Sequence, residues 1–286
     1  MAGIITGNGE IIAAPAPGVR RYGLFSAATV LDDLDAPGIA SGFQLPAEDC
    51  GVVRSYDANC VTHPAKTFDE GQTYMEATPY WVYATRKCGT VGRSAAEMEA
   101  SVLRRLVANE QHEVESQLWG GGAVAADPNL TGVAGVVTVV PGVAQGAGAA
   151  IAALEQSFYD TYGYVGTIHV NTAAYAAMAY AQILERNGST LNTPLGSVWS
   201  FGSGYGIAGP GGAAPAAGFV WAFMTPPVLI RRSSPMVPPV IETMNHVQNQ
   251  WLGLAERAYA HTWVCNTVHA VQVPLDAPMV ITVANT

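Results

Sequence analysis

The densest set of groups able to ligate a metal or move a proton is Glu110, His112, Glu113 and Glu115. Carboxylates beside an imidazole suit acid–base work or a divalent cation. His112 and Glu115 stand three residues apart and would share a helix face, but a di-metal bundle needs Glu-x-x-His units and the sequence has none elsewhere. The spacing therefore predicts a solvated helix face. Gly202-Ser203-Gly204-Tyr205-Gly206 with Gly209 suggests a phosphate-cradling loop, yet no strand-to-helix transition surrounds it and no Lys follows. Ser203 also lacks the glycines two residues away on each side that a nucleophile elbow uses. His63, His169, His261 and His269 are scattered and read as core or interface residues. Trp251, Tyr259 and Trp263 read as core packing.

The cysteines Cys50, Cys60, Cys88 and Cys265 show no C-x-x-C spacing, and no paired histidines complete a zinc site. With no secretory signal, a reducing compartment and free thiols are expected, a Cys50–Cys60 loop disulfide being the alternative. No catalytic, cofactor-binding or metal-ligating residue and no cofactor is therefore assigned, and the chain does not read as an enzyme.

Composition points to association instead. Of 286 residues 49% are hydrophobic but only 12% charged, about half of the roughly 25% usual in soluble domains. A chain so poor in charge is expected to hide much of its surface against copies of itself. The net charge of −9 argues against a large nucleic-acid footprint. The pairs Arg20-Arg21, Arg104-Arg105 and Arg231-Arg232 are isolated, and the only lysines are Lys66 and Lys87. Residues 132–154 carry no charge, but Gly, Ala, Pro141 and Gln145 lack the apolar bulk that drives membrane insertion.

The elements follow from pattern. Residues 1–45 are Gly- and Pro-rich with no helical period and predict an extended arm. Residues 46–92 predict a long two-stranded excursion that returns through the strand-forming run Tyr80 to Thr85. Over 93–122 a helix opens on the capping box Ser94/Glu97, buries Met98, Val102, Leu106, Val114 and Leu118, turns Arg104, Arg105, Glu113 and Glu115 elsewhere, and stops at Gly120-Gly121-Gly122. Within 123–239 the pattern predicts a helix over Ala149 to Tyr162, a strand over Val165 to Val170 and a helix over Thr172 to Leu184 closed by Asn187-Gly188. Asn187 to Ile230 carries no charge and requires burial or a partner. Residues 240–286 predict a helix over Val240 to Ala258, then strands at Val268 to Val273 and Val280 to Val283. Helices and strands interleave without a βαβ rhythm, which makes the class α+β.

This order resembles the tailed-phage major capsid fold of the Hong Kong phage type. Thr193-Pro194-Leu195-Gly196, Trp199-Ser200-Phe201-Gly202 and Ala255-Glu256-Arg257-Ala258-Tyr259 leading to Trp263 and Cys265 are similar to segments of actinobacteriophage capsid proteins. Arg231-Arg232-Ser233 with Pro235, Pro238 and Pro239 is similar to the link out of the A domain. The resemblance covers nearly the whole chain and implies an N-arm (1–45), E-loop (46–92), P-domain spine helix (93–122), A domain (mainly 123–239) and returning P-domain elements (240–286). It implies a structural subunit, assembled in the host cytoplasm, that forms hexamers and pentamers around double-stranded DNA, with a portal and decoration or minor capsid proteins as further partners. An encapsulin-like compartment shares the fold and is the alternative, ahead of an unrecognised α/β enzyme. Lys66 is placed where crosslinking relatives carry a Lys, but no Asn partner can be named, so no crosslink is expected. A cleaved N-terminal scaffolding segment has no counterpart here, which implies a separate scaffolding protein.

Overall fold

The computed structural model describes residues 18, 21–33, 36–47, 50, 73–90, 94–122, 128–133, 135–139, 146–241 and 244–275. In chain order these form α1 (Leu24–Ala27), β1 (Thr29–Asp33), α2 (Ala36–Ala40), β2 (Phe43–Pro46), β3 (Tyr74–Ala77), β4 (Tyr80–Gly89), α3 (Ala95–Gly120), β5 (Val136–Val139), α4 (Ala147–Tyr162) and β6 (Thr167–Asn171). A 3-10 turn (Thr172–Ala174) leads into α5 (Tyr175–Tyr180), β7 (Glu185–Asn187), β8 (Thr190–Asn192) and β9 (Val198–Gly202). A second 3-10 turn (Pro210–Gly212) precedes β10 (Phe219–Thr225), β11 (Val228–Ser233), β12 (Gln250–Trp263) and β13 (Val268–Pro274).

The longest helix begins and ends for local reasons. The Ser94 hydroxyl accepts from the Glu97 amide, and the Glu97 carboxylate accepts from the Ser94 amide, so two otherwise orphaned donors are satisfied. Gly121 closes the helix in the left-handed region at φ 66, with its N–H on the Gln117 carbonyl. Met98, Val102, Leu106, Val114 and Leu118 are all buried, which is the predicted stripe. They face a four-stranded sheet in the order β1-β11-β12-β4, in which β1 runs parallel to β11 and β12 is antiparallel to both β11 and β4. A methyl group at Gly253 on β12 would stand 2.8 Å from Val102 and 3.1 Å from Met98, so helix and strand lie close there.

A seven-stranded mixed sheet, β5-β13-β10-β6-β9-β8-β7, forms the second body. Helix α4 covers it, packing Ile151, Leu154 and Phe158 against Ile168, Trp199, Met224 and Val271. A separate core runs between α3 and the four-stranded sheet and takes in Trp119, Tyr205, Phe223, Tyr259 and Trp263. Among the described residues β2 and β3 pair only with each other, and their foot rests on a small cluster of Ile39, Ala77, Ala258 and Ala260.

Four expectations are corrected. The described residues of 240–258 form no helix: Gln250–Trp263 is a 14-residue strand paired with β4 over ten positions, from Tyr80↔Tyr259 to Gly89↔Gln250. Its apolar spacing fits either period, and pairing to an available edge decides in favour of strand. The third helix is cut short because Gln182 adopts a left-handed conformation at φ 57, and Asn187-Gly188 is the tip of the β7–β8 hairpin instead of a helix stop. The described part of the arm is not simply extended, since α1, β1 and α2 lie within it and Leu24 and Ile39 are buried. Finally, Cys50 and Cys265 form a disulfide across 215 residues, with Cα atoms 5.7 Å apart, where free thiols were expected. The fold brings the start of the excursion against the β12–β13 turn, which cysteine spacing cannot reveal; Cys88 is free. Cys60, His63, Lys66 and Val280 to Val283 lie outside the described residues.

Candidate functional site

Only half of the acidic cluster on α3 is a solvated face: His112 and Glu113 are exposed, but Glu110 and Glu115 are buried. Glu110 is only 4% exposed. The Arg257 guanidinium, on β12, donates through Nη1 to both carboxylate oxygens of Glu110 at 2.8 and 3.0 Å. Arg232, on β11, stands 3.8 Å from the same carboxylate and holds Asp32 of β1 at 2.5 Å. Guanidinium groups from two neighbouring strands thus converge toward a single carboxylate on the helix, and Asp32 of a third strand holds the outer one. The Arg232 guanidinium also lies 5.4 Å over the Phe25 ring, which stacks on Tyr259. Burial pushes the Glu110 carboxyl above the ordinary carboxylate range against the pull of Arg257, whereas the Arg232 hydrogen bond holds exposed Asp32 below it.

Glu115 is buried for another purpose. Its Oε1 accepts from the Leu24 amide at 3.2 Å and from Gln111 Nε2 at 2.7 Å, and its Oε2 accepts from the Gly204 amide at 3.0 Å. One carboxylate therefore fastens α1 and the glycine run to α3. His112 and Glu113 stay at the surface: His112 Nδ1 lies 3.2 Å from Ser203 Oγ, and Glu113 accepts from Gln117. Among the described residues no group of three or more His, Cys, Asp or Glu is placed to hold a metal.

The glycine run docks the two bodies on each other. A methyl group at Gly204 would stand 1.9 Å from the His112 carbonyl oxygen, and one at Gly209 would stand 2.2 Å from the Trp221 indole. These glycines permit backbone to approach helix and ring more closely than any side chain allows. Between them Tyr205 stacks on Trp119 with ring centroids 5.3 Å apart. Its hydroxyl reaches into the second body, 2.6 Å from Ser200 Oγ and 3.0 Å from His169 Nδ1.

The three described histidines named as core residues are buried. His169 Nε2 lies 2.9 Å from Thr225 Oγ1, which donates to the Pro226 carbonyl at 2.8 Å. The Thr225 hydroxyl proton is thereby committed, so His169 carries its proton on Nε2 and accepts the Tyr205 hydroxyl at Nδ1. A second proton would displace that hydrogen bond. Burial and nearby His261 push His169 down to about 3, and burial pushes His261 down to about 4. The unfolded chain takes up these protons near pH 6.5 while the folded chain refuses them. The stability tied to each is full above that value and falls with pH, at about 1.4 kcal/mol per pH unit per histidine. Urea midpoints measured from pH 7 to 4.5 are expected to show this slope, and His169→Gln is expected to remove His169's share. An unchanged slope in the variant would contradict the assignment. Tyr259 and Trp263 are buried as expected, while Trp251 is half-buried.

The outer surface carries large apolar groups. Trp81 and Tyr83 are 43% and 67% exposed on the edge strand β4, beside a groove of about 620 Å3 that Arg105, Asn109 and Glu113 also line. The uncharged stretch buries β9 and β10 but exposes Leu195 and Ile207, and Val247 stands almost wholly exposed in the turn before β12. Singly exposed apolar residues are ordinary, whereas Trp81 and Tyr83 side by side along an open groove form the kind of patch that marks a contact surface.

No family model and no curated protein matches this sequence. Solved structures do share its fold. The capsid of an empty GTA particle superposes with a TM-score of 0.58 at 14% identity, over 93% of this chain and 95% of that one. A chain from Microbacterium phage Oxtober96 gives 0.57 at 11% identity, over 94% and 96%. A chain from Mycobacterium phage Adephagia gives 0.55 at 13% identity, over 90% and 91%. The helix on its four-stranded sheet, the seven-stranded body and the paired β2–β3 excursion together make this chain, over nearly its whole length, an example of the α+β phage-capsid fold of the Hong Kong phage type.

Proposed function

We propose that the chain is a structural subunit, not an enzyme, which assembles with its own copies into closed icosahedral shells of hexamers and pentamers around the double-stranded DNA of a phage. The observation that carries this reading is the fold match to a chain of a GTA-particle capsid over 93% of this chain and 95% of that one. The scarcity of charge and the exposed aromatic edge of β4 agree with it, because both favour burial against neighbours. On this reading α3 is the spine helix, the four-stranded sheet belongs to the P domain and the seven-stranded sheet to the A domain. The β2–β3 pair is the stem of the E-loop, and residues 1–45 are the N-arm. Glu110 and Glu115 then hold the spine helix to both bodies and to the arm, fixing the angles at which neighbours meet. Assembly in the host cytoplasm on a separate scaffolding protein, with a portal at one vertex and decoration or minor capsid proteins outside, completes the proposal. Mass photometry and electron microscopy of the protein expressed with its scaffold test it. Closed particles are expected; a monomer stable at high concentration under those conditions would overturn it.

A further inference from the structure

The disulfide joins two places that the rest of the fold holds by separate means. Cys50 stands four residues beyond the Pro46 end of β2, on the loop side of the β2–β3 pair, and is half-buried. Cys265 is 1% exposed in the turn between β12 and β13. The strands on either side are secured without the bond: β12 pairs with β4 and β11, β13 with β10 and β5, and β2 with β3. Each sulfur also has a polar neighbour of its own. Cys50 Sγ lies 3.6 Å from the Val264 carbonyl, and Cys265 Sγ lies 3.8 Å from the Tyr164 hydroxyl. On reduction the two sulfurs must separate to van der Waals contact, and the Val264 carbonyl then offers the Cys50 S–H an acceptor. The bond decides whether the chain just beyond β2 is covalently tied to the β12–β13 turn.

We propose that Cys50 and Cys265 form a redox latch on the excursion, a dithiol in reducing surroundings that closes when the chain meets an oxidant of the small-molecule disulfide class. Cys50 is the more accessible sulfur and reacts first. Its thiolate attacks one sulfur of the small disulfide, expels one thiolate and forms a mixed disulfide. Cys265, after giving up its proton, attacks Cys50 Sγ and expels the second thiolate. The two protein thiols lose two protons and two electrons, and the oxidant leaves as two small thiols. Closure ties the chain just beyond β2 to the β12–β13 turn. It also cross-links a loop of about 215 residues, which restricts the unfolded chain strongly. The latch depends on these two sulfurs and not on shell formation, so it is tested on the soluble chain itself.

The protein is purified anaerobically under reductant, freed of it, and divided into a reduced sample and one treated with oxidised glutathione. Thiol titration in denaturant is expected to fall from four to two, with peptide mapping placing the bond between Cys50 and Cys265. The oxidised protein is expected to melt about 5–10 °C above the reduced one. Hydrogen exchange over Tyr74–Ala77 should slow on oxidation. Cys50→Ser should fold like the reduced protein, form no internal bond and show no such rise. Four remaining thiols, glutathione adducts without an internal bond, pairing through Cys60 instead, or equal melting responses in wild type and variant would each overturn the latch. All of these readouts stand whether or not particles form.

Discussion

Leu106→Asp is expected to abolish soluble subunit, while Arg105→Ala, one residue away, leaves it folded. Leu106 is 2% exposed and sits in the core between α3 and the four-stranded sheet. Losing its side chain alone costs about 2–5 kcal/mol. An unpaired buried carboxylate adds several more, even after relaxation. Glu110 lies one turn further along the same face, so the new carboxylate would also compete with an existing one for Arg257. The sum reaches most or all of the roughly 5–15 kcal/mol that holds a domain folded. Arg105 is different, because its guanidinium reaches out over the β4 edge and donates to the Thr85 carbonyl at 3.0 Å in an exposed position. Its removal costs about 1 kcal/mol or less. Arg105 also lines the groove beside Trp81 and Tyr83, so particle yield can fall where subunit yield does not. Soluble yield, urea unfolding and particle counts separate the two variants. Normal particles from Leu106→Asp would mean that the buried face of α3 is wrongly assigned.

The helix was readable because its signals are local: a capping box, a four-residue row of apolar side chains and a glycine stop all lie within thirty consecutive positions. The same row holds a second signal. Glu110 falls four residues after Leu106 and four before Val114, in the middle of the buried stripe, so its position alone marked it as a carboxylate needing a buried cation. Counting it with its acidic neighbours hid that. Glu115 offers no such cue, since besides nearby Gln111 the groups it receives are the amides of Leu24 and Gly204, each about ninety residues away. The glycine run suggests a phosphate-cradling loop that its surroundings do not support, and the His112 carbonyl that Gly204 approaches is brought there only by the fold. The Val240 to Ala258 segment failed for the opposite reason. Its apolar spacing suits a helix, but the free edge of β4 offers ten paired positions, and long-range pairing outweighs local period. The Cys50–Cys265 bond likewise belongs to topology and not to spacing.

The second large effect belongs to Glu110. Glu110→Ala leaves the Arg257 guanidinium, whose side chain is 11% exposed, without its counter-ion beneath α3. Breaking a buried pair from one side costs about 3–5 kcal/mol, because the surviving charge keeps its desolvation penalty. Arg232 suffers less, since Asp32 still holds it at the surface. Removing both charges is a different matter. Glu110→Leu combined with Arg257→Met preserves much of the volume and abolishes both desolvation penalties, so the double variant is expected to regain most of what Glu110→Ala loses. The pH dependence supplies an independent check. Burial holds the Glu110 carboxyl above its ordinary value of 4.5, so the folded state gains relative to the unfolded one when Glu110 is protonated. That contribution is complete below 4.5 and is lost as pH rises through the raised folded value. The surface partner Asp32 behaves oppositely: its carboxyl is lowered by Arg232, and its contribution disappears as pH falls. Acid weakens the outer half of the network while it relieves the inner half, so Asp32→Asn should reduce the acid sensitivity of urea midpoints and Glu110→Leu/Arg257→Met should increase it. Equal destabilisation of Glu110→Ala and the double variant would show that Glu110 and Arg257 are not coupled, and that the helix is held to its sheet by packing alone.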